Sequence, residues 1–178
     1  MISKRLTLNK KNLTAMNPDI FTKLPNKNQP WFVQLHQLLS ETLDIFSSLN
    51  EKQAELSYAP TKWTLKELLD HLTECEKIFH YRALRFSKKE YIELPGFDEN
   101  LFVQNGNANR QSLTVLLEEL KLTRYSTLCF FGKLSEKELA TEGIANGQTY
   151  SIEYIAEHIA EHHAHHLQII KERYLPLL

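Results

Sequence analysis

Two histidines near the C-terminus carry the strongest chemical signal in this sequence. His162 and His166 are four residues apart in a segment whose isoleucines have helical spacing. On a wheel of about 100° per residue that starts at Ile155, both rings fall within about 20° of the expected centre of the apolar stripe. Neighbours at this spacing can chelate one metal ion. The alternative is a pair of core histidines that satisfy their polar nitrogens by hydrogen bonds.

A third metal ligand is expected from a facing helix. His71 is the best candidate because it lies at the edge of the apolar stripe of the second predicted helix, and His36 and His80 are the alternatives. No Glu follows His162, so the HExxH signature of metalloproteases is absent. Three imidazoles without a fourth protein ligand leave an open coordination position, as in catalytic zinc sites. Imidazole ligands suit zinc, nickel, copper and iron.

Four long amphipathic segments must position these histidines. Apolar residues at helical spacing predict helices at about residues 31–49, 64–87, 110–131 and 151–174, and a capping box predicts a short helical turn after Ser135. No strand pattern is convincing, and residues 143–147 are expected to form a loop. The connection between the second and third helices is long, which favours a wall or lid over a site. We therefore expect an all-α four-helix bundle at residues 31–178, preceded by an N-terminal extension at residues 1–30.

Composition limits the partners and the compartment. Lys plus Arg is 21 and Asp plus Glu is 22, a formal charge of −1, which argues against a dedicated nucleic-acid binder. No run of 18 apolar residues is present, so no membrane span is expected. The two cysteines, Cys75 and Cys129, lie in apolar helical patterns and are interpreted as reduced core thiols of a cytoplasmic protein rather than as a disulfide.

A short basic patch lies at the end of the second predicted helix. It consists of Arg82, Arg85, Lys88 and Lys89. Cations at a helix C-terminus interact favourably with the helix dipole, so a solvated helix end is the expected interpretation. The alternative is that the patch receives an anionic substrate.

Three segments of the chain resemble the DinB/YfiT-like superfamily of metal-dependent four-helix-bundle proteins. They are KWTLKELLDHL at residues 62–72, LPGFDEN at residues 94–100 and HHAHHL at residues 162–167. The resemblance covers about residues 31–175, and it is the order and spacing of the three segments together that make it specific.

The resemblance implies a metal held by His71, His162 and His166. Glu74 stands where the family usually has Asp, so a catalytic or orienting role beside His71 is expected but open. His163 flanks the ligands and is a candidate to move a proton, with an exposed helix position as the alternative.

The roles of the next two acidic residues are also open. Asp98 and Glu99 in the long connection could orient an imidazole, contact a substrate or form a solvated turn.

The resemblance also implies a function. We expect a divalent metal, zinc or nickel, and a small-molecule substrate, with no nucleic acid or membrane partner. The reaction would be a thiol-dependent S-transfer, with a low-molecular-weight thiol as co-substrate, or a hydrolysis. The alternative is a non-catalytic, metal-binding bundle associated with stress. A homodimer is a further expectation from the resemblance.

Overall fold

The computed structural model describes residues 18–90 and 92–178, and its long helices form a four-helix bundle. The elements in chain order are α1 (Pro30–Ser47), α2 (Glu51–Ala54), α3 (Leu65–Ser87), α4 (Glu99–Asn105), α5 (Leu113–Gly132), α6 (Glu136–Leu139), β1 (Glu142–Ala145), β2 (Gln148–Ser151) and α7 (Ile152–Ile169). A π-helical turn, Ile170–Tyr174, and a 3-10 turn, Leu175–Leu177, extend α7. The predicted all-α four-helix bundle is confirmed, with one small β-hairpin that the prediction did not include. None of the described helices combines the length and apolar character needed to cross a bilayer.

The long helices pack in a closed square. Helix α3 lies against α5 and α7, and α1 lies against the same two helices. Trp31, Phe32, Phe130 and Phe131, which the sequence leaves open as core or dimer surface, are all buried in the bundle core. Their burial follows from apolar positions that recur with the period of the helix on every long element.

Helix boundaries follow the capping residues. The Thr64 side chain accepts a hydrogen bond from the backbone N–H of Glu67, and the Glu67 carboxylate accepts one from the N–H of Thr64, so the predicted capping box starts α3. A second capping box at Ser135 starts the short helix α6. Helix α5 starts at Leu113 rather than at residue 110, because Ser112 is its cap.

The segment before α1 packs on the bundle. A 3-10 helix, Pro18–Lys23, places Phe21 in the core. The Asn26 amide donates to the carbonyl oxygens of Phe131 at 3.0 Å and Leu134 at 2.7 Å. The first 17 residues of the predicted extension lie outside the described residues.

A β-hairpin replaces the predicted loop at residues 143–147. Strands β1 and β2 pair antiparallel through the turn Asn146–Gly147, both of whose residues have positive φ. Asn-Gly is the preferred sequence for such a two-residue turn, but strands of four residues are too short to show alternation. Leu94 forms a parallel bridge with Ala145, so the hairpin also holds the start of the long connection.

The long connection contains a helix that the sequence does not predict. The Asp98 carboxylate accepts a hydrogen bond from the N–H of Leu101 at 3.1 Å and caps α4. Helix α4 has no buried residue and lies against α3. It therefore covers one side of the bundle without belonging to its core, as expected for a wall over a site.

Candidate metal centre

Three histidine rings converge between α3 and α7. His71 Nε2 lies 3.1 Å from His162 Nε2 and 3.2 Å from His166 Nε2. Helix α3 presents His71 from one side, and the i, i+4 spacing on α7 places the other two rings on one face, with centroids 4.6 Å apart. These are the three residues predicted as metal ligands, and the structure brings them together.

The separations of the three nitrogens suit a metal ion. Two imidazole nitrogens at the usual zinc distance and a tetrahedral angle are about 3.3 Å apart. A neutral imidazole has one N–H and one lone pair, so His71 Nε2 cannot satisfy both facing nitrogens by donating a single proton. A cation in contact with three lone pairs accounts for the convergence, and the donor set fits a divalent metal.

The electrostatics of the centre keep the three histidines neutral. Burial lowers the pKa of His71 to about 4 and that of His166 to about 4, and it lowers the pKa of His162 to about 3 with a further contribution from the neighbouring His166. All three imidazoles are therefore unprotonated at neutral pH, which is the form that binds a metal.

An aromatic residue and a cavity border the centre. The Trp63 ring lies 4.7 Å from the ring of His71 and stacks over that of His166 at 6.5 Å. His166 also lines a cavity of about 220 Å³, which has aromatic walls from Tyr58, Trp63 and Tyr174. The cavity has room for a small molecule on the His166 side of the centre.

The sequence model of the DinB superfamily matches residues 34–170. The chain belongs to the DinB superfamily. The matched region contains all three converging histidines. No curated protein sequence matches the chain.

A solved structure shares the fold of this DinB member. It is that of YfiT from Bacillus subtilis, which is described as a probable metal-dependent hydrolase with an unusual four-helix bundle topology. The TM-score is 0.71 at 14% sequence identity, and the match covers 96% of this chain and 90% of YfiT. At that identity the similarity establishes the fold alone.

Two further ligand atoms lie beside His162. Cys75, Glu99 and His162 each offer one ligand atom, and these three atoms lie within 4.8 Å of one another. Glu99 is exposed on α4, while Cys75 is buried on α3, with Sγ 3.5 Å from Nδ1 of His71. The sequence left the role of Glu99 open and assigned Cys75 only to the core. The signal for Cys75 was its position four residues after His71, on the same face of the helix.

Glu74 is not part of the three-histidine cluster found among the described residues. Burial raises the pKa of its carboxyl, and the nearby Asp70 and Glu119 raise it further. Its carboxylate therefore belongs to an acidic group along the α3–α5 side, and it is in neither of the ligand clusters found among the described residues. The catalytic or orienting role of Glu74 stays a prediction.

His163 is buried rather than exposed. Its ring is 1% exposed, which contradicts the exposed helix position offered by the sequence. Arg124 Nη2 donates to Nδ1 at 2.7 Å, so the ring proton is on Nε2, which donates to Thr42 Oγ1 at 2.7 Å. Burial and the Arg124 charge hold the pKa of His163 well below its usual value. One ring nitrogen is hydrogen-bonded to Thr42 on α1 and the other to Arg124 on α5. The proton-transfer role of His163 stays a prediction.

The network around His163 joins all four long helices. Arg124 on α5 makes a buried ion pair with Glu76 on α3, and its Nη1 donates to the Leu35 carbonyl oxygen on α1 at 2.5 Å. With His163 on α7, and with Thr42 and the Leu35 carbonyl on α1, every long helix contributes at least one polar group. Because His163 lies between His162 and His166 on α7, this network fixes the part of α7 that carries the two metal-ligand candidates. The network is not predicted from the sequence because Arg124 and Glu76 belong to residue types that usually lie on the surface.

Proposed function

We propose that this chain is a hydrolase of small molecules that depends on a divalent metal, zinc or nickel. His71, His162 and His166 would hold the ion. The observation that supports the proposal is the approach of His71 Nε2 to 3.1 Å from His162 Nε2 and 3.2 Å from His166 Nε2, with a cavity bordered by His166. The description of YfiT as a probable metal-dependent hydrolase is consistent with it.

The residues around the centre suggest separate roles. When bound, such an ion supplies Lewis acidity that makes water a nucleophile at neutral pH. The Trp63 and Tyr174 rings would bind the apolar part of a substrate in the cavity and exclude water from it. The Glu99 carboxylate reaches the His162 side of the centre from the exposed helix α4, and it would accept a proton and release it to solvent.

Metal binding can be tested through Trp63. The chain has two tryptophans, and Trp31 packs against Phe131 in the core. In a Trp31→Phe variant, only Trp63 emits, and paramagnetic Ni²⁺ or Co²⁺ at the centre should quench it, with saturation at about one ion per chain. A Trp63→Phe variant, which retains Trp31, is the matched control and should show little quenching.

The ligands can be tested in the same background. His162→Ala with His166→Ala should abolish saturable quenching and leave the helical circular dichroism, because the core does not depend on these partly exposed rings. Full quenching in this variant would contradict the site. An ester and amide hydrolysis screen of the zinc and nickel forms then tests the reaction. The thiol-dependent transfer predicted from the sequence is tested by adding thiols and electrophiles. A bound ion without turnover in either screen would favour the non-catalytic alternative.

A further inference from the structure

Among the described residues, Arg82 is a buried cation without an anionic partner. Its side chain on α3 is only 8% exposed. Nη2 donates to the Pro95 carbonyl oxygen at 3.0 Å, and the guanidinium carbon lies 5.8 Å from the centroid of the Phe79 ring and 5.7 Å from that of Phe97. Within residues 18–90 and 92–178, no carboxylate forms an ion pair with it. The solvated helix end expected from the sequence is therefore wrong for Arg82.

The other buried cations of the described chain are compensated. Arg124 is paired with Glu76, and the Lys66 ammonium is paired with Glu51 at 2.7 Å and Glu55 at 3.1 Å. Removing a cation from water without a counter-charge is unfavourable, so proteins pair buried charges with few exceptions. Arg82 is the exception here, and it has N–H donors left over after Pro95.

The free side of Arg82 faces a small cavity. The cavity has a volume of about 70 Å³ and is lined by Phe79, Arg82, Tyr150, Tyr154, Ile155 and His158. The rings of Tyr150 and Tyr154 stack at 5.3 Å with planes 13° apart, and those of Tyr154 and His158 at 5.9 Å with planes 9° apart. The cavity thus combines an unpaired guanidinium with an aromatic wall.

We propose that Arg82 binds the carboxylate of a small organic acid whose planar or apolar body lies along the Tyr154 and His158 rings. A carboxylate matches the guanidinium in charge and accepts two parallel hydrogen bonds from it. A phosphate dianion carries more charge than one guanidinium neutralises, and no lysine or second arginine among the described residues lines the cavity.

This binding site gives the substrate class of the proposed hydrolase, and it rests on that proposed function. His158 precedes the ligand candidate His162 by four residues, about one helical turn of 5.4 Å. The Phe79 ring is 4.9 Å from His158 and 6.0 Å from His162, so one side chain borders both places. An acid anchored at Arg82 would present a bond several atoms away to the three-histidine centre.

The first test compares an acid with its neutral isostere. Benzoate, benzamide and inorganic phosphate are titrated against the full chain, treated with chelator or loaded with zinc, and binding is read from the rise in unfolding temperature. We expect benzoate to bind at least about tenfold more tightly than benzamide in both forms, as for a charge-assisted hydrogen bond. Equal affinity for benzoate and benzamide would overturn the proposal, and so would tighter binding of phosphate than of benzoate.

Variants then assign the effect to one arginine. Arg82→Met should remove the preference for benzoate, and without ligand it should not lower the unfolding temperature, because it removes an uncompensated charge. Arg82→Lys should bind benzoate more weakly than the parent, since it lacks the planar fork. Arg85→Met, three residues along the same helix, should keep the preference. An unchanged preference in Arg82→Met would refute the site. If Arg82→Met does not fold, the Arg82→Lys variant and the comparison of benzoate with benzamide still test the acid site.

The chelator-treated arm keeps the two proposals separable. Loss of the benzoate preference with intact Ni²⁺ quenching of Trp63 would refute the acid site alone. Absent quenching with an intact benzoate preference would refute the metal-dependent function alone.

Discussion

The buried pair of Arg124 and Glu76 allows a quantitative test of what holds the bundle together. The two side chains are 1% and 2% exposed, and three N–H···O contacts of 2.8–3.0 Å join them. Glu76→Gln keeps the shape but leaves the guanidinium without a counter-charge. Breaking such a pair from one side costs about 3–5 kcal/mol of the free energy of unfolding. Urea unfolding followed by circular dichroism measures this loss directly.

Removing both charges should cost less than removing one. The double variant Glu76→Leu with Arg124→Met eliminates the unpaired charge, but it leaves Nδ1 of His163 buried without a donor, worth about 1–3 kcal/mol. The Leu35 carbonyl oxygen loses its hydrogen bond from Arg124 but remains part of the backbone of α1. Adding His163→Leu removes the orphaned nitrogen, and Thr42 retains its bond to the Leu38 carbonyl oxygen at 2.8 Å. The triple variant should therefore lie within about 1–2 kcal/mol of the parent.

The relative stabilities of Glu76→Gln, the double variant and the triple variant show whether an uncompensated charge causes the loss. If Glu76→Gln lies within about 1 kcal/mol of the parent, the pair is not desolvated as the structure indicates. If the triple variant is as unstable as Glu76→Gln, packing rather than an uncompensated charge explains the loss. Ni²⁺ binding should survive in the triple variant as long as it folds, because none of the three residues donates to the metal centre.

The remaining predictions concern packing and pH. Gly143→Ala should lower the free energy of unfolding by about 1–3 kcal/mol, because its Cβ would lie 2.0 Å from Cδ1 of Phe86; Gly147→Asn, in open space and tolerant of positive φ, is the control in urea unfolding. Burial raises the pKa of Tyr174, whose hydroxyl donates to the Trp63 carbonyl oxygen at 2.7 Å, to about 12. The unfolded chain ionises this tyrosine near pH 10 while the folded chain keeps it neutral, so stability falls as pH rises: the parent should lose about 1.3 kcal/mol more than Tyr174→Phe between pH 9 and 11. Equal losses in parent and variant would contradict this reasoning.

The fold was largely predictable because its signals are local. The period of apolar residues marks all four long helices, and Thr64 with Glu67 marks the start of α3. Helix α4 was missed because it has no apolar face to give a periodic signal, and it depends on the Asp98 cap and on contact with α3. The hairpin was missed because its strands are too short to show alternation, and because β1 is also held by a bridge to Leu94, a contact remote in sequence.

The charges of the core were not predictable residue by residue. Arg124, Glu76 and Arg82 are of types that almost always lie on the surface, and only their tertiary neighbours show that they are buried. Arg124 is satisfied by the side chains of Glu76 and His163 and by the backbone carbonyl oxygen of Leu35, which lie on three other helices. Arg82 is enclosed by Phe79 on its own helix and by Phe97 from the long connection. Neither environment can be predicted from the spacing of residues in the sequence.

On the last helix, the sequence singled out two converging histidines, His162 and His166, from an apolar stripe that the structure shows to be misplaced. A wheel centred on the isoleucines puts His162 and His166 at the centre and His163 about 80° away. The buried residues of α7 also include Ala156, Ala160 and Leu167, and with them the buried face centres near +75° from Ile155. His163 is therefore at the middle of the face and binds the core network, while His162 and His166 are at its edge. At the edge of the buried face of α7, two histidines can meet a third from α3 and still border a cavity. The position of the buried face therefore favours a centre that a substrate can enter.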